Sequence, residues 1–163
     1  MFGTQKETKY LKSVCANKNV LEWGCGESTV ELSMVCKSVT SIEHNLGWYN
    51  TIKGRILDKA KLYHVPQNKS HGQYDDGNFE CYRDYVMFPI EHLEQKIYDV
   101  IFIDGRARYY CAETATKLSD KNTRIIIHDF MIPPMENRQK YAEVKNFLRM
   151  VEHVDTLGVF KIG

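Results

Sequence analysis

The feature that most constrains the fold is an apolar run that ends in an acidic residue and a double-glycine turn. The run Val20-Leu21-Glu22-Trp23 favours a short buried strand, and Gly24-Cys25-Gly26 follows it directly. Glycine allows a tight turn and leaves room for a ligand against the backbone. Ser28 or Thr29 can then begin a helix whose first amides point back at the turn. The stretch therefore predicts a strand-turn-helix unit.

Short apolar runs and segments with helical spacing alternate along the rest of the chain. The predicted strands are Asn19 to Trp23, Val39 to Glu43, Lys61 to Val65, Tyr98 to Asp104, Arg124 to Asp129, Val151 to Val154 and Gly158 to Ile162. The predicted helices are Thr4 to Ala16, Ser28 to Cys36, Leu46 to Leu57, Tyr85 to Gln95, Ala107 to Leu118 and Arg138 to Met150. This order predicts an α/β fold, Rossmann-like and doubly wound, with a mostly parallel sheet and one antiparallel edge strand. The first five strands would lie in the order 3-2-1-4-5.

The segment from Gln67 to Asp84 has no hydrophobic periodicity. It is rich in turn-forming residues, and aromatic side chains are interleaved with them. A long loop in a small domain is usually functional, so we expect it to cover a bound ligand. Its side chains available for this are Tyr74, Asp75, Asp76 and Tyr82.

Length and composition exclude several classes of protein. The 163 residues are enough for one domain with a real core, so we predict a single domain spanning 1–163. A net charge of +1 provides no broad field for nucleic acid, and no apolar run is long enough to span a membrane. The five cysteines are scattered without a Cys-x-x-Cys pair, which predicts free thiols and a cytoplasmic protein.

Polar residues end four of the predicted strands, and in an open parallel sheet ligands bind at those carboxyl ends. Glu43 follows the glycine turn by about twenty residues, where a carboxylate accepts hydrogen bonds from ribose hydroxyls. The dinucleotide pattern G-x-G-x-x-G fits less well, because it requires a third glycine where Thr29 stands. The sequence therefore favours an adenosine-type ligand other than NAD.

The order acidic-x-Gly-x-Gly, from Glu22 to Gly26, resembles motif I of the class I S-adenosylmethionine (SAM) methyltransferases. The run Asp104-Gly105-Arg106-x-x-Tyr109, with His128-Asp129 after the next strand, looks like two families of sugar O-methyltransferases. These are the plant glucuronoxylan methyltransferases and the macrolide-sugar O-methyltransferases. The resemblance covers nearly the whole chain and implies SAM as the cofactor.

The resemblance also implies roles for individual residues. The implied cofactor contacts are Glu22, Gly24, Gly26, Ser28 and Glu43, and the implied reaction-site residues are Asp104, His128 and Asp129. Two positions depart from the families' patterns. Ser28 replaces the third glycine of motif I, and His128 stands where the macrolide type has the second acid of a carboxylate pair.

Two chemistries are open for the reaction site. In the first, one of Asp104, His128 and Asp129 is a general base that removes the proton of an acceptor hydroxyl; a histidine is the side chain most easily poised for this. In the second, Asp104 and Asp129 hold a divalent metal, Mg²⁺ or Mn²⁺, that lowers the pKa of that hydroxyl.

The resulting expectation is a SAM-dependent O-methyltransferase acting on a sugar or glycan hydroxyl. Arg106, Arg108, Tyr109 and Tyr110 are available for an anionic or sugar acceptor. The Asp-Pro-Pro-aromatic or Asn-Pro-Pro-aromatic motif of amino-group methyltransferases is absent after the fifth strand, which favours oxygen over nitrogen. Because little chain precedes the first strand, the pocket is expected to be open, suited to a large acceptor, or completed by a second copy in a homo-oligomer. The alternatives are a non-catalytic methyltransferase-like scaffold and an NAD-linked oxidoreductase.

Overall fold

The computed structural model describes residues 2–70, 78–131 and 140–163, in which helices pack on both faces of a seven-stranded sheet. The strands are β1 (Asn19–Trp23), β2 (Ser38–Glu43), β3 (Ala60–His64), β4 (Val100–Ile103), β5 (Arg124–Ile127), β6 (Leu148–Val154) and β7 (Leu157–Ile162). The helices are α1 (Gln5–Cys15), α2 (Glu27–Val35), α3 (Leu46–Ile52), α4 (Phe79–His92), α5 (Arg108–Thr116) and α6 (Lys140–Glu143). None of the helices in these three stretches is long and apolar enough to cross a membrane.

The sheet has the order β3-β2-β1-β4-β5-β7-β6, in which β1 to β5 are parallel. The predicted Rossmann-like fold and its 3-2-1-4-5 order are therefore confirmed. The antiparallel strand at the β5 end is β7, which pairs with β5 on one side and with β6 on the other. A tight turn at Asp155, where φ is +49°, joins β6 to β7.

The core lies on both sides of the sheet, because successive residues of a strand face opposite sides. On one side, Leu21, Trp23 and Ile101 pack in the cluster that includes residues of α4 and α5. On the other, Val20 and Phe102 pack in the cluster that includes residues of α1 and α2. β4 and the residues Ile125 to Ile127 of β5 are buried on both faces and apolar throughout, which explains why short continuous apolar runs predicted them correctly.

Helix α4 begins inside the segment that the sequence predicted as a loop. Asn78 caps it, since its Oδ1 accepts a hydrogen bond of 3.0 Å from the backbone N–H of Cys81. Tyr82 is non-helical (φ −130°) and buried, so its aromatic ring belongs to the core rather than to a mobile cover. The loop prediction is wrong from Phe79 onward. Its other candidates, Tyr74, Asp75 and Asp76, lie outside the described residues.

The predicted helix from Arg138 to Met150 is only partly confirmed over its described length, because a strand replaces its end. α6 ends at Glu143, a 3₁₀ turn covers Val144–Asn146, and β6 begins at Leu148. Leu148 pairs with Ile162 and Met150 with Phe160, so pairing with β7 overrides the local helical spacing. Arg138 itself and the predicted Pro133-Pro134 loop lie outside the described residues.

Candidate functional site

The glycine turn after β1 is packed against the end of β4. Gly24 has φ +92°, and a Cβ built there would lie 2.5 Å from the backbone nitrogen of Gly105. Gly24 also donates a backbone hydrogen bond of 2.8 Å to Ile42, so the turn is fixed to β2 as well. No other residue type fits this position, because both the left-handed backbone and the close approach exclude a side chain.

Gly26 is a glycine for a different reason. Its backbone is extended, and a Cβ built on it would meet nothing within 4 Å. Gly26 borders a cavity of about 470 Å³ that runs from the end of β2 to the end of β4. A volume of this size is typical of small-molecule sites. The turn therefore leaves an open cradle above its backbone, and a side chain at Gly26 would enter it.

Glu22 lies beneath this cradle and does not border the cavity. Its carboxylate is fully buried and accepts three hydrogen bonds of 2.6 Å, from the hydroxyls of Ser28, Thr29 and Ser41. Burial raises the pKa of Glu22 to about 7, although the three hydroxyls partly offset this. The hydroxyl of Thr29 also accepts a hydrogen bond of 3.0 Å from the backbone N–H of Gly26. Glu22 thus shapes the turn from below and contacts Ser28, which borders the cavity, but does not reach the cavity itself.

Four of the predicted cofactor residues do border the cavity: Gly24, Gly26, Ser28 and Glu43. Glu43 ends β2, and its carboxylate is nearly buried. Its Oε2 accepts a hydrogen bond of 2.8 Å from the backbone N–H of Cys25, and its Oε1 accepts one of 2.6 Å from the backbone N–H of Asn45. Burial raises the pKa of Glu43. The carboxylate therefore joins the glycine turn to the start of α3.

Trp48 borders the same cavity, a position that no motif of the sequence predicted. It is 53% exposed on the first turn of α3, which Asn45 caps through a 3.0 Å hydrogen bond from the N–H of Trp48. Helical spacing identifies the residues that share a face, but it does not reveal whether that face is covered. The exposed indole is consequently part of the candidate site.

The structure brings Asp104, His128 and Asp129 together at the ends of β4 and β5. The Nδ1 of His128 lies 2.7 Å from Oδ1 of Asp104 and 3.6 Å from Oδ2 of Asp129. Burial alone lowers the pKa of His128, but the hydrogen bond to Asp104 and the two carboxylate charges outweigh it and raise the pKa. Asp104 borders the cavity, whereas His128 and Asp129 lie behind it.

Arg108 organises this cluster from the first residue of α5 and also borders the cavity, so its contact with a substrate stays a prediction. Its guanidinium is buried and donates through Nε to the carbonyl of Gly105 at 2.8 Å. It also lies 3.3 Å from the carboxylate of Asp129 and 3.7 Å from that of Asp104. Arg108 thereby links the ends of β4 and β5, a role that only the three-dimensional arrangement reveals.

The predicted metal does not fit this donor set. One ligand atom from each of Asp104, His128 and Asp129 lies within 4.8 Å of the others. However, the buried guanidinium of Arg108 already pairs with both carboxylates, so a dication there would meet a buried positive charge. The Nδ1 of His128 is hydrogen-bonded to Asp104, so this nitrogen is not available as a metal ligand. We derive no step through a metal.

Comparisons with known proteins agree with this fold. No protein-family model and no curated protein sequence matches the chain. Among solved structures, a methyltransferase-like protein from Silicibacter pomeroyi matches at a TM-score of 0.78 and 21% identity, over 99% of this chain and 87% of that one. The N-methyltransferase NodS from Bradyrhizobium japonicum, in complex with S-adenosyl-L-homocysteine, matches at 0.60 and 13%, over 97% and 86%.

A SAM-dependent O-methyltransferase from Thermotoga maritima matches at a TM-score of 0.61 and 11% identity, over 100% of this chain and 67% of that one. At identities this low, the structural similarity shows a shared fold and does not show a shared activity. The chain has the fold of the SAM-dependent methyltransferases.

Proposed function

We propose that the protein is a SAM-dependent methyltransferase that methylates a hydroxyl oxygen, with a sugar or glycan as the acceptor. The observation that carries this proposal is the cradle above Gly26, which opens onto a cavity with Glu43 at one end and Asp104 at the other. An adenosine ligand needs a carboxylate for its ribose and an uncovered glycine turn beside it. A group-transfer enzyme also needs a polar side chain at the reacting end.

In this proposal a ribose hydroxyl of SAM hydrogen-bonds to Glu43. Each oxygen of that carboxylate already accepts one backbone N–H, and Oε1 also lies 3.2 Å from Nδ1 of His44, so the ribose would use the second lone pair of Oε2. Trp48 supplies an aromatic surface for the adenine, and the methionine part lies over Gly24 and Gly26. Glu22 holds the turn in shape through Thr29 rather than binding SAM itself.

Bound SAM supplies an electrophilic methyl group, and the protein must align and deprotonate the acceptor. Among the described residues, the side chains that contact the Asp104 carboxylate are His128 and Arg108, and both reach Oδ1. Oδ2 is thus available to accept the hydrogen bond of an acceptor hydroxyl and then its proton. His128 donates from Nδ1 to the other oxygen and keeps the carboxylate oriented. Most of the rate enhancement would come from holding the acceptor in line with the methyl group.

The sugar or glycan acceptor is supported by the sequence resemblance and by the chemistry around Asp104. Arg106 borders the cavity on the Asp104 side and can pair with an anionic group of an acceptor. Tyr109 and Tyr110 are half-buried and pack edge-to-face, with ring centroids 5.1 Å apart. Each ring also packs against a phenylalanine, Tyr109 against Phe147 and Tyr110 against Phe79, and neither tyrosine borders the cavity.

The test is calorimetric titration of the protein with SAM, with NAD as the comparison ligand. We expect saturable SAM binding that weakens about 10- to 100-fold in Glu43→Ala, because a charged hydrogen bond is lost. Glu31→Ala is the matched control, since Glu31 pairs with Lys12 away from the cavity and its loss should leave the affinity unchanged. Binding of NAD instead of SAM would favour the oxidoreductase, and binding of neither would favour the scaffold.

Transfer of labelled methyl from SAM to a panel of uronic acids, neutral sugars and oligosaccharides then tests the acceptor. Asp104→Asn should retain SAM binding and lose most of the transfer. Normal turnover of Asp104→Asn on an accepted sugar would show that this carboxylate has no part in the reaction.

A further inference from the structure

Phe2 borders the cavity, although no motif predicted a functional role for the residues before α1. Its side chain is only 6% exposed and lies at the reacting end of the cavity. Its ring packs edge-to-face against Phe102, with ring centroids 5.2 Å apart. It also packs against the ring of His128 at an interplanar angle of 55°, with centroids 4.7 Å apart. His128 in turn bonds to Asp104, so Phe2 stands beside the pair at which methyl transfer is proposed.

The backbone around Phe2 is held by the first turn of α1. Thr8 donates its hydroxyl to the carbonyl of Phe2. Thr4 and Glu7 form a reciprocal capping box, in which the Glu7 carboxylate accepts 2.8 Å from the backbone N–H of Thr4. Gly3 has φ +49° and packs so closely on this carboxylate that a Cβ would collide with it. Phe2 therefore occupies a defined position.

Glu7 fixes this turn to the rest of the protein. Its carboxylate is buried, and its Oε1 accepts from both the backbone N–H and the hydroxyl of Thr156, at 2.8 and 2.7 Å. Thr156 lies in the turn between β6 and β7, at the far end of the chain. The wall that Phe2 forms is consequently anchored to the sheet, not to α1 alone.

We propose that Phe2 is a cofactor-binding residue that recognises the sulfonium cation of SAM through its aromatic ring. This inference rests on the proposed function. A cation is attracted to the face of an aromatic ring, and the attraction grows where the ring is shielded from water. Phe2 meets that condition, since it is nearly buried and borders the cavity beside Asp104. The neutral thioether of S-adenosylhomocysteine (SAH) lacks the charge, so Phe2 would favour binding of the substrate cofactor over its product.

The test compares the dissociation constants of SAM and SAH by calorimetry in wild type, Phe2→Leu and Phe79→Leu, with any affinity tag at the carboxyl terminus. Leucine keeps an apolar side chain and removes the π face. Phe79→Leu is the matched control, because Phe79 is exposed on the first turn of α4 and does not border the cavity. We expect Phe2→Leu to weaken SAM about tenfold and SAH about twofold or less. Phe79→Leu should weaken neither.

The ratio of the two constants separates recognition from packing. A general disturbance of the wall or of folding would weaken SAM and SAH equally, and that result would overturn the proposal. An unchanged SAM affinity in Phe2→Leu would overturn it too. If wild type bound neither ligand, the proposed function would fail, which is distinct from binding with an unchanged ratio.

Discussion

Two carboxylates flank the glycine turn, and the protein stabilises them in opposite ways. Glu22 belongs to a hydroxyl cluster, whose other members are Ser28, Thr29 and Ser41. Asp104 belongs to a charged cluster, whose other members are Arg108, His128 and Asp129. The first cluster is buried and contains no cation, whereas the second is partly exposed and holds a guanidinium and an imidazole.

This difference suits the two carboxylates to different roles, Glu22 to maintaining the shape of the site and Asp104 to its chemistry. Neutral hydroxyls fix the turn and leave Glu22 with a pKa of about 7, so this carboxylate suits a structural role. Charged partners leave Asp104 at the cavity with one oxygen available, which suits proton transfer. The two sequence motifs that contain these acids do not by themselves distinguish the two roles.

The largest expected effect comes from Gly24→Ala. The new Cβ would lie within 2.8 Å of three backbone atoms of Asp104 and Gly105, at a φ of +92°. Overpacking and backbone strain together should lower the free energy of unfolding by about 4 kcal/mol. Chemical denaturation followed by circular dichroism measures this loss.

Gly26→Ala is the matched control for that substitution. Its Cβ would meet no atom of the protein, so stability should be retained while SAM binding is reduced, because the methyl group enters the cradle. Equal stability losses in the two variants would contradict the distinction between the packed glycine and the open one.

The next largest effect concerns the pH dependence of stability through Glu22. Between its ordinary pKa of 4.5 and its folded value of about 7, the folded protein holds a proton that the unfolded chain has lost. The free energy of unfolding should therefore fall by about 3 kcal/mol as pH rises through this window, and this contribution should be constant above it. Denaturation of wild type and Glu22→Gln at about pH 5 and about pH 8 measures it.

Glu22→Gln removes the ionisable group and keeps one oxygen that can accept from two of the three hydroxyls, while its amide nitrogen donates to the third. The difference between wild type and variant isolates Glu22 from the other groups that titrate in this range. Parallel pH profiles for the two proteins would show that burial does not raise the pKa of Glu22.

A smaller effect should appear in the charged cluster. The raised pKa of His128 means that its contribution to stability is fully present below the ordinary value of 6.5 and is lost as pH rises through the folded value. Asp104→Asn should lower this pKa more than Asp129→Asn does, because Asp104 is 2.7 Å from Nδ1 and Asp129 is 3.6 Å away. NMR titration of the histidine rings, with His128→Gln used for assignment, measures both shifts. The reverse order would mean that Asp129 is the main partner.

The smallest expected effect is a difference in sensitivity to salt. Raising NaCl from about 0.1 M to about 1 M shortens the screening length to about 3 Å, so the pKa of the partly exposed His128 should fall slightly. The pKa of Glu22 should stay constant, because no salt ion reaches its buried hydroxyls. Equal sensitivity of the two groups would remove the contrast between hydroxyl and charge stabilisation.

The sequence predicted the sheet well and its outer elements poorly. β4 is an apolar run buried on both faces, and β1 is apolar and buried except for Asn19 and the buried Glu22, so local composition identifies both. β6 begins at Leu148 because it pairs with β7. α4 begins at Phe79 because aromatic side chains of this helix pack in the hydrophobic core. Both outcomes depend on distant partners, which a local pattern does not contain.

The candidate site shows the same division between local and distant information. The sequence by itself determined that glycines, the Glu43 carboxylate and the Asp104, His128 and Asp129 group follow the strands, because strand ends are set by local pattern. Only the tertiary structure decided that Glu22 faces three hydroxyls, that Arg108 is buried in the charged cluster, and that Phe2 borders the cavity. These roles arise from contacts between residues far apart in the chain. The spacing of residues in the sequence therefore does not indicate that Glu22 is buried while Asp104 borders the cavity.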